Sequence, residues 1–227
     1  MATGLRIRQK RELHIGQWVF WLILVAAIVG CLWIGYRYYM TGETPIPVPI
    51  ARANPAVEEH EVTSQKKEEH TVPPTHPRYI SVPSLSVDNA RVLKMGVKSN
   101  GEFDTPVNIH DSGWYEKSVV PGSGYGAVLM DGHNGGPTKG GIFENLPNMK
   151  IGSAITIERG DGTKINYKVA ETKVYTLEEL NNGGMQEMMK SIEPSKEGLN
   201  IISCTGNWVP RMQTYDKRIV VRAVASD

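Results

Sequence analysis

The chain has 227 residues, with 25 Lys and Arg against 24 Asp and Glu, a formal net charge of +1 and 40% hydrophobic content. One hydrophobic core serves about 100–200 residues, so this length suits a single domain with appendages and leaves no room for two large ones. A near-neutral chain has no chain-wide positive field, which excludes nucleic acid as the expected partner.

Much of the apolar content lies in one block near the N-terminus. From Trp18 to Tyr36 run nineteen residues without a formal charge, close to the ~20 that carry a helix across a bilayer core. Arg6, Arg8, Lys10 and Arg11 precede the block, and only Arg37 follows it closely. That bias predicts a single-pass helix with a cytoplasmic N-terminus and an extracytoplasmic remainder. Trp18, Trp21, Trp33, Tyr36, Tyr38 and Tyr39 sit toward its two ends, where amphipathic rings favour the headgroup layer. A cleaved signal peptide has a similar outline, but this run exceeds the ~7–15 residues of a signal core and has no small-x-small site after it. Cys31 in Ile28-Val29-Gly30-Cys31 faintly resembles a lipoprotein site, yet apolar residues continue past it. The expected boundaries are a basic N-terminus at 1–17 and a membrane helix at 18–40.

Residues 41–77 mix Pro45, Pro47, Pro49, Pro55, Pro73, Pro74 and Pro77 with charged pairs such as Glu58-Glu59 and Lys66-Lys67. Such a composition buries little apolar surface and predicts a disordered, extended stalk. His60, His70 and His76 are irregularly spaced within it and are expected to be solvated rather than metal ligands.

The remaining residues, 78–227, hold 17 basic and 17 acidic side chains. Seven β-type runs recur between turn signals, at 79–82, 90–97, 125–130, 153–159, 164–175, 199–204 and 218–225. They predict a mainly β sandwich or barrel. Gly160-Asp161-Gly162 between alternating runs marks a hairpin. Only 177–190 and 140–150 offer helical stretches, each interrupted by Gly or Pro. Glu178, Glu179 and Glu187 fall on the first of these rather than in a ligand loop, so no calcium, other metal or cofactor is expected.

Cys204 is the single cysteine of this domain and ends the apolar run Leu199-Asn200-Ile201-Ile202-Ser203-Cys204. Extracytoplasmic cysteines usually pair, so a lone thiol at a strand end is either buried packing or a nucleophile. A nucleophile needs a proton-handling partner, and His110 and His133 are the only histidines available. His133 follows a predicted strand in a Gly-rich loop, 128–136, which presents a side chain at a rim. Attack on an amide also needs fixed positive charge for the oxyanion. Arg218, opening the last run, and Arg211, in the preceding loop, compete for that role.

Gly132-His133 after a strand, Ser203-Cys204 ending another and Arg218 opening the next resemble the sortase pattern. Sortases are cysteine transpeptidases of bacterial cell envelopes. The resemblance spans the whole outward domain. Gly113-Trp114-Tyr115 and the run 121–128 lead to the histidine in the manner of class F sortases, and Phe143-Glu144-Asn145-Leu146 and Lys150-Ile151-Gly152-Ser153 are similar to the stretch that follows it. The resemblance implies an eight-stranded β-barrel with Cys204 as nucleophile, His133 as proton donor and Arg218 as oxyanion or positioning group. It implies substrate contacts from Ser203, Trp114, Tyr175 and Met185, the last two in the 174–198 segment that walls the groove.

The implied partners are surface proteins with a C-terminal sorting signal and an envelope amine acceptor. The implied place is the bacterial cytoplasmic membrane, with the catalytic domain outside. Asp131 and Ser203 stand where a small residue and Thr are usual, and Ser153 where Asp is. A catalytically silent barrel that binds envelope peptides is the alternative, and an unrelated anchored β domain with a structural cysteine a further one.

Overall fold

The computed structural model describes residues 15–44, 56–99 and 101–226. The basic residues 1–14 and the proline-rich 45–55 lie outside them. Helix α1 (Ile15–Thr41) brackets the expected span. Its side chains are mostly apolar and largely exposed, with Trp18, Leu22 and Leu32 at 68–72%. It is long and apolar enough to cross a membrane.

From Ala56 onward the chain departs from the stalk expectation. A short helix, α2 (Ser64–Glu68), is capped by the Thr63 side chain, which accepts from the Lys66 N–H. Around it the segment is tied to the barrel through its backbone: Glu58 N–H donates to Val107 O and Ile109 N–H to Glu58 O, both at 2.9 Å. His70 Nε2 donates to Val92 O at 3.0 Å, and the His76 ring packs 4.8 Å from that of Trp114. His70 and His76 are thus half-buried packing residues, whereas His60 is exposed. Composition did not reveal this because main-chain hydrogen bonds hold the segment, and these do not depend on apolar side chains.

Eight strands follow: β1 (Pro77–Val82), β2 (Val87–Met95), β3 (Ser112–Tyr115), β4 (Ala127–Gly132), β5 (Ala154–Arg159), β6 (Lys164–Thr176), β7 (Gly198–Val209) and β8 (Thr214–Ser226). They close a barrel in the order β1-β2-β3-β4-β7-β8-β6-β5. The β5–β6 hairpin turns where expected. Gly162 takes φ +82°, Arg159 N–H donates to Thr163 O at 2.9 Å, and Asp161 accepts from the Thr163 N–H at 3.0 Å. A left-handed residue at that place favours Gly.

Strand β4 is buried at all six positions, because it pairs with β3 and β7 and both its faces are covered, one by the barrel interior and one by the β6–β7 connection. Val128 and Met130 face the barrel interior with Leu199, Ile201 and Val221. Leu129 faces outward with Ile202 and Val220, beneath Leu180 and Met188. The latter two come from the β6–β7 connection, which holds helical turns α3 (Leu177–Glu179) and α4 (Met185–Glu187) around an irregular turn. A Thr176/Glu179 capping box starts it.

One buried carboxylate fastens the barrel end. Glu197, 3% exposed, accepts from Gly122 N–H at 2.9 Å, Gly124 N–H at 2.7 Å and Ser123 Oγ at 3.1 Å, and from the Tyr167 hydroxyl. Burial and the Glu197 charge push the Tyr167 phenol up, so it stays a donor. Glu197→Ala strands these donors and is expected to cost about 3 kcal/mol or more of stability in urea unfolding. Glu197→Gln, which retains one acceptor oxygen, should cost less.

Candidate active site

The site lies on the outer face, where β4, β7 and β8 run side by side. Cys204 on β7 pairs directly with Arg218 on β8, and Arg218 pairs on its other side with Tyr175 on β6. Directly opposed residues share a face, so the thiol, guanidinium and phenol form one row across three strands. Arg211 instead lies exposed in the β7–β8 turn. The geometry therefore separates the two arginines that the sequence left in competition.

The Arg218 guanidinium is held in place by its own strand end. Nη1 donates to the carbonyls of Tyr215 and Lys217, both at 2.9 Å, and Nη2 to Thr214 Oγ1 at 2.8 Å. A planar fork with five donors has hydrogen-bonding capacity beyond these acceptors.

His133 leaves the end of β4 beside Cys204. The parallel β4–β7 register pairs Asp131 with Ile202, and Ser203 Oγ donates to Gly132 O at 2.8 Å. One step further along both strands stand His133 and Cys204. The His133 ring is anchored through Nε2 to Pro106 O at 2.7 Å. A carbonyl only accepts, so Nε2 carries the proton and Nδ1 is left as the acceptor of the neutral ring. Burial holds His133 below the usual imidazole range, against the opposing effect of the Pro106 hydrogen bond. Burial pushes the Cys204 thiol up, Arg218 draws it down and Asp131 adds to the rise. Both groups therefore rest neutral at pH 7, as thiol and imidazole.

Beside the cysteine an open cavity of about 410 Å³ is walled by the Gly-rich loop 134–140, by Glu144 and Pro147, and by Thr205, Gly206 and Tyr215. The Trp208 ring meets Tyr215 edge-on at 5.6 Å. The loop is pinned by a residue far upstream: Glu59 accepts from the N–H groups of Thr138, at 2.7 Å, and Lys139, at 3.1 Å. Those bonds, the Thr138 hydroxyl first, hold the Glu59 carboxyl below its usual range. Nothing in the sequence pattern pointed to Glu59, because its role depends on a contact about eighty residues away in the chain.

Of the four residues expected to meet substrate, Tyr175 and Met185 are partly buried beside the outer cluster formed by Leu129, Ile202 and Val220. Trp114 is not at the groove. It is 3% exposed inside the barrel core, with Nε1 donating to Val119 O at 3.3 Å. Alternation along β3 directs it inward, since its neighbour Gly113 faces Asp131 on the other side. Ser203, 3% exposed, also points away from the groove, and its hydroxyl fastens β7 to β4. His110 Nε2 is buried without a hydrogen-bond partner. Among the described residues no group of three or more His, Cys, Asp or Glu side chains converges as a metal site would.

The family model for the sortase domain matches residues 80–226, which is the barrel apart from the first three residues of β1 and includes all of the residues just described on β4, β7 and β8. No curated protein matches the chain. Solved structures with a similar fold include sortase A from Corynebacterium diphtheriae, at 19% identity and TM-score 0.49, covering 79% of this chain and 77% of that one. Sortase C from Clostridium perfringens SM101 is similar at 17% identity and TM-score 0.46, covering 66% and 70%. A sortase C from Streptococcus pneumoniae is similar at 16% identity and TM-score 0.49, covering 79% and 81%.

Proposed function

The chain belongs to the sortase family, and from that premise we propose that it is a membrane-anchored cysteine transpeptidase acting on sorting-signal peptides at the cell envelope. The observation that carries this reading is the placement of Cys204 opposite Arg218, with His133 level with it at the end of β4. In the proposed cycle His133 Nδ1 takes the Cys204 proton as substrate enters. The thiolate attacks the scissile carbonyl carbon, and the oxyanion forms beside Arg218. Collapse breaks the C–N bond, and the His133 imidazolium gives its proton to the departing amine. A second amine then attacks the thioester, yields its proton to His133 and releases the Cys204 thiolate, which His133 reprotonates. Atoms and charge are restored at the end of each turn.

Helix α1 serves as the anchor, and the basic residues before it favour an N-in orientation with the barrel outside. Such tethering suits a substrate held in the same membrane. The groove for the sorting signal runs along the β6–β7 connection, with Tyr175 and Met185 at its wall. Methionine adapts to varied apolar side chains. Within the family, Gly113-Trp114-Tyr115 and the run 121–128 resemble class F sortases.

The direct experiment is incubation with a library of sorting-signal peptides, followed by mass spectrometry of the intact protein. The expected result is a peptide acyl adduct on Cys204 that hydroxylamine or an added amine removes. A thiol that reacts with small alkylating reagents but never gains an acyl adduct would instead indicate a silent, peptide-binding barrel.

A further inference from the structure

Asp131, in β4, is 9% exposed and its Oδ1 has no hydrogen-bond partner. An incompletely satisfied buried carboxyl is costly, so its position calls for a reason other than packing. The surroundings make room for it. Gly113 stands opposite on β3, where any Cβ would collide with Oδ1. The β2–β3 connection covers it, with a hydrogen bond from Thr105 and the opposed charges of Asp104 and Lys98. On β7 its strand partner is Ile202, and the next side chain on that face is Cys204, whose ionisation responds to the Asp131 charge. Two residues along its own strand direction is His133, whose ring is fixed to Pro106, a residue that also packs against Gly113. Arg218 completes the ring of charges from β8, acting on Cys204 from the other side.

We propose that Asp131 is a positioning residue for the transfer reaction, a buried carboxyl that sets the proton balance of the Cys204 and His133 pair and so the pH at which that pair is competent. The proposal rests on Cys204 being the nucleophile. A charged Asp131 repels a thiolate, so it raises the proton affinity of Cys204. The competent form joins a thiolate to an imidazolium, and its bell-shaped pH profile therefore lies higher with the charge than without it. Burial, with Asp104 adding to it, pushes the carboxyl up to about 7. The charge is thus absent in mild acid and present above neutrality, where it holds the thiol back.

The test compares the full chain in detergent with its Asp131→Asn variant, both carrying Cys31→Ser so that one thiol remains. Iodoacetamide alkylation of Cys204 is followed against pH. Alkylation reports the thiolate and needs no transfer, so this result and the failure of transpeptidation can be told apart. The expected result is a midpoint lower by about half to one pH unit in the variant, with the optimum for peptide cleavage moving the same way. An unchanged midpoint in a variant with the parent's circular dichroism overturns the proposal. If Asn does not fold, Asp131→Ala, which removes the carboxyl together with its unsatisfied oxygen, decides in the same way, and an alkylation midpoint equal to the parent's overturns the proposal.

Discussion

Cys204→Ala is expected to remove acyl transfer altogether while leaving the barrel standing. The side chain sits at the outer end of the buried stretch of β7, partly buried beside an open cavity, so losing one sulfur leaves little void. Its thiol rests protonated, because burial raises its proton affinity, and the substitution therefore removes no buried charge. The stability cost should be on the order of 1 kcal/mol, read as a small shift in the urea midpoint. Transfer is read by chromatography of a peptide substrate with an amine acceptor. Product at the parent's rate would eliminate Cys204 as nucleophile, and a variant that unfolds would favour a structural thiol.

Much of the barrel was legible because its physical signals are local. Seven strands announce themselves as short β-type runs between turn residues, and Gly160-Asp161-Gly162 fixes one hairpin without any tertiary information. Strand β3 was visible only as a motif. Four residues with Ser and Gly among them carry no periodicity, and parallel pairing with β2 leaves no turn signal between the two. The folded segment 56–76 was missed for a related reason, since its hold on the barrel is through backbone hydrogen bonds and the Glu59 carboxylate.

The site was legible unevenly. His133 declares itself by residue type just past the end of β4, and Cys204 as the lone thiol of the domain, although β7 continues to Val209 and the cysteine lies within the strand rather than at the end expected. Arg218 could not be placed by counting back from the turn, because Val209 pairs with Thr214 and a register shift between Thr205 and Trp208 makes 218 rather than 219 the partner of 204, while Arg211 lies in the turn. Substrate contacts were harder. The inward or outward sense of Trp114 and Ser203 depends on strand phase, and a one-residue change of phase moves a side chain from groove to core.

Arg218→Lys tests the fixed cation and is expected to lower kcat/KM by about 10²–10³-fold, the usual loss when an oxyanion donor is removed. Charge alone would survive this substitution, so the loss would come from geometry. The guanidinium reaches Tyr215 O, Lys217 O and Thr214 Oγ1 at once and is thereby fixed on the face shared with Cys204. A lysine has three donors on a flexible stem and cannot hold those acceptors while also presenting an N–H to an oxyanion. Most of the loss should therefore fall on kcat, since the oxyanion exists only in the transition state. The thiol should also become harder to ionise, because Arg218 is the group that draws its proton affinity down and a displaced ammonium would do so less well. The Cys204 alkylation midpoint should accordingly rise in Arg218→Lys, opposite to its fall in Asp131→Asn. A variant with parental kcat and an unmoved alkylation midpoint would leave Arg218 as a brace for the β7–β8 hairpin and assign oxyanion stabilisation to backbone N–H groups at the cavity rim.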